Sequence, residues 1–154
     1  MNYIELKERQ NIPDNSPLSK LYNQFGDLLK ELKKKELPQH IVTALNQTVE
    51  ELNNATVTDN ELKKLVKKQQ TAILRLLEKE LKIVPKNYYR NIWLVLGMSA
   101  FGLPLGVIFG SIKGNMGLLG IGLPIGMVIG MAAGSAMDKK ALREGRQLEM
   151  EIRY

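Results

Sequence analysis

Few side chains in this sequence have a type and spacing that could support catalysis or metal binding. Histidine occurs once, at His40, and cysteine is absent, which excludes disulfides, thiolate metal sites and a thiol nucleophile. The acidic groups Glu50–Glu51 and Glu78/Glu80 lie in stretches of helical periodicity, where carboxylates are ordinary surface groups. No phosphate-binding Gly-Lys-Ser/Thr loop is present. We therefore predict no enzymatic activity, no cofactor and no metal site, and we expect His40 to be a solvated or capping residue.

Glycine is the residue type whose spacing carries the most information. It recurs at every fourth position in two apolar segments, at Gly102, Gly106 and Gly110 and again at Gly122, Gly126, Gly130 and Gly134. The segments 102–110 and 122–130 also match each other as an internal repeat. A helix with this spacing has one face without side chains, so a second backbone can approach closely, and such packing attracts helices inside lipid. We predict that these glycines pack transmembrane helices and mediate oligomerisation.

Two prolines occupy equivalent positions in the repeat, Pro104 and Pro124. Each removes a backbone donor and should bend its helix or leave a carbonyl oxygen to be satisfied elsewhere. One interpretation is a hinge in the middle of the bilayer, and the other is a tolerated kink packed against a neighbouring helix. The sequence leaves both open.

The elements that hold these residues are two apolar helices. Between Ile92 and Met137 the only formally charged residue is Lys113, in a short polar turn. On either side lie about 20 apolar residues, which is the length that crosses a hydrocarbon core of about 30 Å. We predict a transmembrane hairpin with spans at 92–112 and 116–137.

The flanks of the hairpin carry the residues expected at a membrane surface. Aromatic and basic side chains cluster before the first span, at Tyr88, Tyr89, Arg90 and Trp93, and Lys139 and Lys140 follow the second span. Such residues anchor spans at the lipid–water interface, and cationic flanks stay on the cytosolic side. We predict a bacterial inner-membrane protein with both termini in the cytosol.

The amino-terminal part of the chain predicts amphipathic helices. After an irregular lead-in over residues 1–14, apolar residues recur at three- and four-residue steps in three stretches. The first helix should begin at Ser16-Pro17, the second should span Gln39 to Asn54, and the third should begin at Thr58 or Asp59. Gln69 lies within the apolar stripe of the third helix and is the expected polar residue of that seam.

Together these features predict an all-α protein, with cytosolic amphipathic helices followed by a two-helix transmembrane hairpin that is oligomeric. The predicted domains are residues 1–90 (cytosolic and helical), 91–137 (hairpin) and 138–154 (a basic cytosolic tail). The net charge of +6 suits anionic lipid surfaces. Membrane lipid, further copies of the chain and a protein bound by the cytosolic helices are the expected partners. A nucleic-acid partner is not expected, since no recognition motif is present.

The run Gly120–Ala141, with Lys113–Gly117 before it, resembles bacterial glycine-zipper hairpin proteins. These are mostly uncharacterised small membrane proteins that end in an Asp-Lys-Lys-Ala type of boundary. The resemblance is limited to the carboxyl-terminal part of the chain. It implies a hairpin topology and close helix packing, and it names no activity.

These predictions favour the first of two functions and leave the second as the alternative. In the first, the protein oligomerises through its glycine faces and forms a pore or perturbs the membrane, by analogy with small bacterial anti-phage membrane effectors. In the second, the hairpin is an anchor, and the cytosolic helices act as a scaffold or adaptor that recruits a protein partner. Replacing the hairpin with unrelated spans separates the two.

Overall fold

The computed structural model describes residues 2–9, 12–14, 16–115, 117 and 119–153. These residues form helices and irregular segments without a strand, and one isolated bridge joins Val84 and Gln147. The all-α class is therefore confirmed. The chain divides into two compact units, which we call the helical unit (Met1–Ile83 with Leu148–Tyr154) and the hairpin unit (Val84–Gln147).

The helical unit contains α1 (Pro17–Lys33), α2 (Gln39–Asn54) and α3 (Asp59–Leu81). Helix α1 begins where its sequence predicts, because the Ser16 hydroxyl accepts a hydrogen bond from the Ser19 amide and Pro17 fills the first helical position. Helix α3 begins with a capping box, in which Thr58 and Glu61 each bond to the backbone of the other. Local sequence signals thus define these helix starts.

The apolar stripes of the three helices meet in one hydrophobic core. Its fully buried side chains include Phe25, Leu28, Leu32, Ile41, Leu45, Leu52, Leu62 and Leu77. One detail of the predicted stripe is wrong: Gln69 is half-buried and bonds to the Glu51 carboxylate, whereas Gln70 is the buried amide of α3. The Gln70 side-chain oxygen accepts a bond from Gln24 at 3.3 Å.

The described residues of the lead-in, 2–9 and 12–14, are irregular, as predicted, but residues 2–9 are docked on the helical unit. The carboxamide of Asn46 accepts a bond from the Ile4 amide and donates to the Asn2 carbonyl oxygen. The carboxamide of Asn53 binds the backbone of Glu5 and Lys7 in the same way. We call residues 2–9 the N-terminal segment.

The residues after the hairpin do not form a separate basic tail with a boundary at residue 138. Helix α6 (Leu119–Arg143) continues past that boundary, and the chain then returns to the helical unit. There Leu148 and Ile152 are buried in the core, and Gln24 bonds to both the N–H and the carbonyl oxygen of Arg153. Leu148 and Ile152, which are spaced by four among charged residues, account for this return.

The hairpin unit consists of two long antiparallel helices. The first is continuous and comprises α4 (Tyr88–Gly97), a π-helical turn (Met98–Gly102) and α5 (Leu103–Lys113). Gly114, with a φ of 62°, ends α5 in the left-handed conformation that glycine readily adopts. Met116, the predicted first residue of the second span, lies outside the described residues, and α6 forms the second helix.

Candidate functional site

The predicted glycines lie between the two helices of the hairpin unit. Gly97, Gly102, Gly106 and Gly110 of the first helix are buried, as are Gly122, Gly126, Gly130 and Gly134 of α6. A Cβ atom at Gly126 would overlap the Gly97 carbonyl oxygen, and one at Gly130 would overlap the Trp93 carbonyl oxygen. The backbones are therefore in direct contact, which any side chain at these positions would prevent. We call this contact the glycine seam.

The π-helical turn keeps the glycines of the first helix on one face. Gly102, Gly106 and Gly110 are spaced by four, but Gly97 and Gly102 are spaced by five. A π-helical turn contains one more residue than an α-helical turn, so it absorbs this extra position. As a result Gly126 contacts both Gly97 and Gly102.

Asp138 follows the glycines of α6 at the end of the hairpin that lies away from the turn. We call this end, which includes the start of α4 and the end of α6, the open end. Its side chain is buried, with 7% exposure, and its two carboxylate oxygens accept bonds from the backbone amides of Tyr89 at 3.1 Å and Arg90 at 2.9 Å. These amides belong to the first turn of α4, whose N-cap residue Asn87 makes no side-chain capping bond. Asp138 therefore caps α4 from the opposite helix, and its negative charge suits the N-terminal end of the helix dipole.

From the sequence, Asp138 is predicted only to be part of the Asp-Lys-Lys-Ala boundary after the second span. A signal was present, because residues 122, 126, 130, 134 and 138 form one series with a spacing of four. An acidic residue at the end of such a series lies on the same helix face as the glycines. That position predicts contact with the facing backbone.

A second contact at the open end joins the segment before α4 to the segment after α6. The Val84 amide donates to the Arg146 carbonyl oxygen at 3.0 Å, and Ala141 is fully buried nearby in the same unit. Gly145, with a φ of 68°, ends α6 and turns the chain toward this contact. Glu144 receives a hydrogen bond from the Arg146 Nε at 2.8 Å, and this bond lowers the pKa of its carboxyl group.

The outer surface of the hairpin is apolar. Two helices, Tyr88–Lys113 and Gly120–Arg143, are long and apolar enough to cross a membrane, yet only 17% and 22% of their most apolar stretches are buried. Large exposed side chains include Val95, Phe101, Val107, Ile108, Ile112, Ile121, Val128 and Ile129. In a helix that is buried in the core of a water-soluble protein, the large apolar side chains are instead buried. This surface therefore needs an apolar environment.

The other predicted site residues lie around this surface. Pro104 follows the π-helical turn and Pro124 lies inside an unbroken helix, and both are exposed on the outside of the hairpin. Tyr88 and Tyr89 pack edge to face with ring centroids 5.2 Å apart. The open end also carries the remaining predicted anchors, which are Arg90 and Trp93 (half-buried) and Lys139 and Lys140 (exposed).

The helical unit places His40 on its surface, where its Nε2 lies 2.5 Å from a carboxylate oxygen of Glu80. His40 is thus paired with an acid from α3, an arrangement that the sequence did not predict. Within the described residues, no group of three or more histidine, cysteine or acidic side chains is positioned to hold a metal ion.

In comparisons with protein-family models, with curated proteins and with solved structures, the chain matches none of them.

Proposed function

We propose that the chain is an integral membrane protein whose hairpin is a folded anchor and whose helical unit is a binding module in the cytosol. The observation that carries this proposal is the contrast between the inside and the outside of the hairpin. Backbone contacts at glycine fill the inside, whereas large aliphatic and aromatic side chains cover the outside. Lipid is the solvent that such a surface requires.

Charge supports an orientation with both termini in the cytosol of a bacterial cell. Basic residues cluster at the open end of the hairpin, at Lys86, Arg90, Lys139, Lys140, Arg143 and Arg146, whereas Lys113 is the one basic residue between the spans. Under the positive-inside rule the open end faces the cytosol and the turn faces outward. The helical unit then lies on the cytosolic side of the inner membrane, where it can bind cytosolic proteins.

The glycine seam favours an anchor over a pore. The seam joins the two helices of one chain, so its glycines are already in contact with a partner helix. The outer face also offers little to line an aqueous path, since the Ser99 hydroxyl bonds to the carbonyl oxygens of Val95 and Leu96 in its own helix. An oligomer built on the outer face would therefore enclose apolar carbon.

A second candidate function, an oligomeric pore or membrane disruptor, has one observation in its favour. A π-helical turn ends at Gly102, two residues before Pro104, in the middle of the first span. Such turns often mark functional positions, and a proline beside one weakens the helix locally. A change of bend there could open a path that is closed in this conformation.

One experiment separates the two functions. The hairpin, residues 84–147, is replaced by two unrelated transmembrane helices of equal length. Two readouts are compared with those of the native protein: the growth phenotype of cells that produce the protein, and dye release from liposomes that contain it. The anchor function predicts that the phenotype is retained and that the native protein releases no dye. Dye release by the native protein, lost on replacement of the hairpin, would instead establish the pore.

A further inference from the structure

We propose that the groove that holds the N-terminal segment is an exchange site, where the same segment from a second copy of the chain also binds. The groove lies between α1 and α2. Both helices pack on α3, but among the described residues no Cα atom of α1 lies within 8 Å of one in α2. The N-terminal segment occupies this space, and its Ile4 and Leu6 pack on the core.

The groove recognises an extended main chain. Asn46 and Asn53 lie two helical turns apart on α2, and each carboxamide both accepts from and donates to the segment. The four hydrogen bonds are 2.8–2.9 Å long and all go to backbone groups. This is the hydrogen-bonding pattern by which a peptide strand adds to a sheet edge, here provided by side chains on a helix.

Three further contacts make the groove specific for this segment. The Tyr22 hydroxyl donates to the Lys7 carbonyl oxygen at 2.9 Å. The Arg9 guanidinium donates to the carbonyl oxygens of Leu52 and Ala55, at 2.7 and 2.8 Å, at the carboxyl-terminal end of α2. The groove thus requires a basic residue after the extended stretch, which the segment provides.

The segment can leave without breaking any helix. Residues 2–9 belong to no regular element, and α1 has its own cap at Ser16. The fit along α1 is also loose, because a cavity of about 710 Å³ lies between the segment and α1, and a Cβ atom at Gly26 would meet only Leu6, at 4.0 Å. Within the described residues the buried Tyr3 hydroxyl has no hydrogen-bond partner.

A second copy is the occupant that needs no new chemistry. Every copy carries the sequence that fits the groove, so an exchanged segment would make the same contacts between chains as it makes within one. Since the glycine seam is closed within each hairpin, association of copies requires another surface. Confinement in a membrane raises the local concentration of copies. Only this confinement rests on the proposed function.

Cross-linking tests the exchange directly, because the native chain has no cysteine. Two full-length chains with different tags are co-expressed, one with Leu6→Cys and the other with Gly26→Cys, and a short thiol cross-linker is added to membranes. A chain with both substitutions shows that the pair is close enough to react. The proposal predicts cross-links between the two tagged chains, and excess synthetic peptide of residues 2–9 should reduce them.

Matched variants assign the cross-link to the groove. Asn46→Ala and Asn53→Ala are made in a Gly26→Cys chain that lacks residues 2–9, so that only the segment of the other chain can occupy its groove. Each should then lower the yield by roughly tenfold, since each removes two hydrogen bonds from that segment. Gln47→Ala with Asn54→Ala, which alters two exposed amides of the same helix, should leave the yield unchanged. Cross-links confined to the doubly substituted chain would overturn the exchange. Alkaline extraction of the same membranes shows whether each variant is inserted, so that a failure of insertion is distinguished from a loss of exchange.

Discussion

The carboxylate of Asp138 accepts a hydrogen bond from the backbone amide of Arg90 at 2.9 Å, so a residue near the end of the second helix caps the start of the first. This bond connects residues that are 48 positions apart in the sequence. It places a negative charge at the helix end where the dipole is positive. The glycine seam and this cap together hold the two helices in a fixed register.

The first prediction concerns this cap. Asp138→Ala should lower the free energy of unfolding of the hairpin by about 1–2 kcal/mol, because the α4 amides lose a buried acceptor. Asp138→Asn should cost less, since its one carboxamide oxygen can still accept. Unfolding in mixed micelles, followed by the fluorescence of Trp93, the only tryptophan, measures both. Lys139→Ala, at the exposed neighbouring position, serves as the control, and an equal loss in that variant would contradict the capping role.

The second prediction concerns the glycine seam. Gly130→Ala should destabilise the hairpin by about 1–3 kcal/mol or more, because its Cβ would overlap the Trp93 carbonyl oxygen and the backbones would have to separate. Gly120→Ala is the matched control in the same helix, since a Cβ there meets no atom within 4 Å. The same micelle assay compares the two variants. Equal stabilities would show that the helices do not make contact at Gly130.

The third prediction concerns alkaline pH. Burial raises the pKa of Tyr22 above its ordinary value of 10.0, although the hydrogen bond and charge of Arg9 oppose the shift. The folded protein therefore holds this proton more tightly than the unfolded chain. The resulting stability is complete below pH 10.0 and is lost as the pH rises through the folded pKa. Because Tyr22 donates to Lys7, the N-terminal segment should detach in this range.

Proteolysis of the N-terminal segment at increasing pH measures this detachment. The native chain should become more susceptible above the ordinary tyrosine pKa. Tyr22→Phe should be more susceptible at neutral pH and should show a smaller further increase in alkali, because it has no hydroxyl to ionise. Identical pH profiles for the two proteins would rule out Tyr22 as the titrating group.

The fourth prediction concerns the buried amide of α3. Within the described residues the Gln70 Nε2 atom is buried without a hydrogen-bond partner. Gln70→Met, which keeps the size of the side chain, removes this donor and should change the free energy of unfolding by between zero and about +1 kcal/mol. Chemical denaturation of the native and substituted proteins, followed by circular dichroism, gives the difference. A loss of stability well beyond that of the half-buried variant Gln69→Met would show that the Nε2 group of Gln70, and not only the oxygen that accepts from Gln24, has a partner.

The sequence was sufficient to predict the elements that depend on local signals. Residue periodicity, the cap at Ser16 and the expected start at Thr58 or Asp59 located the three amphipathic helices, and the length of the apolar runs located the hairpin helices. The choice between Gln69 and Gln70 failed because neighbouring residues on a helix differ by only 100° in direction. Gln70 lies on the same face as the buried Val66 and Ile73, and its oxygen bonds to Gln24.

Periodicity does not predict contacts between residues that are distant in the sequence. From the sequence, a single acidic residue at position 138 indicates only the end of a span. Its capping role follows from the structure, in which the backbone amides of Tyr89 and Arg90 lie opposite it. The N-terminal segment has no periodic pattern, and its place depends on two asparagines more than forty positions away. The π-helical turn likewise becomes necessary only once Gly97 and Gly102 must face the same helix.

The insertion of the hairpin in a bilayer is tested most directly by cysteine accessibility in intact bacterial cells. Single cysteines replace Asn115 in the turn, Val128 on the outer face and Lys139 at the open end, all three of which are exposed on the protein. A membrane-impermeant maleimide should label Asn115→Cys in intact cells, Lys139→Cys only after the cells are broken, and Val128→Cys in neither case. Labelling of Val128→Cys in broken cells as fast as that of Lys139→Cys would contradict the account, since its outer face would then lie in water.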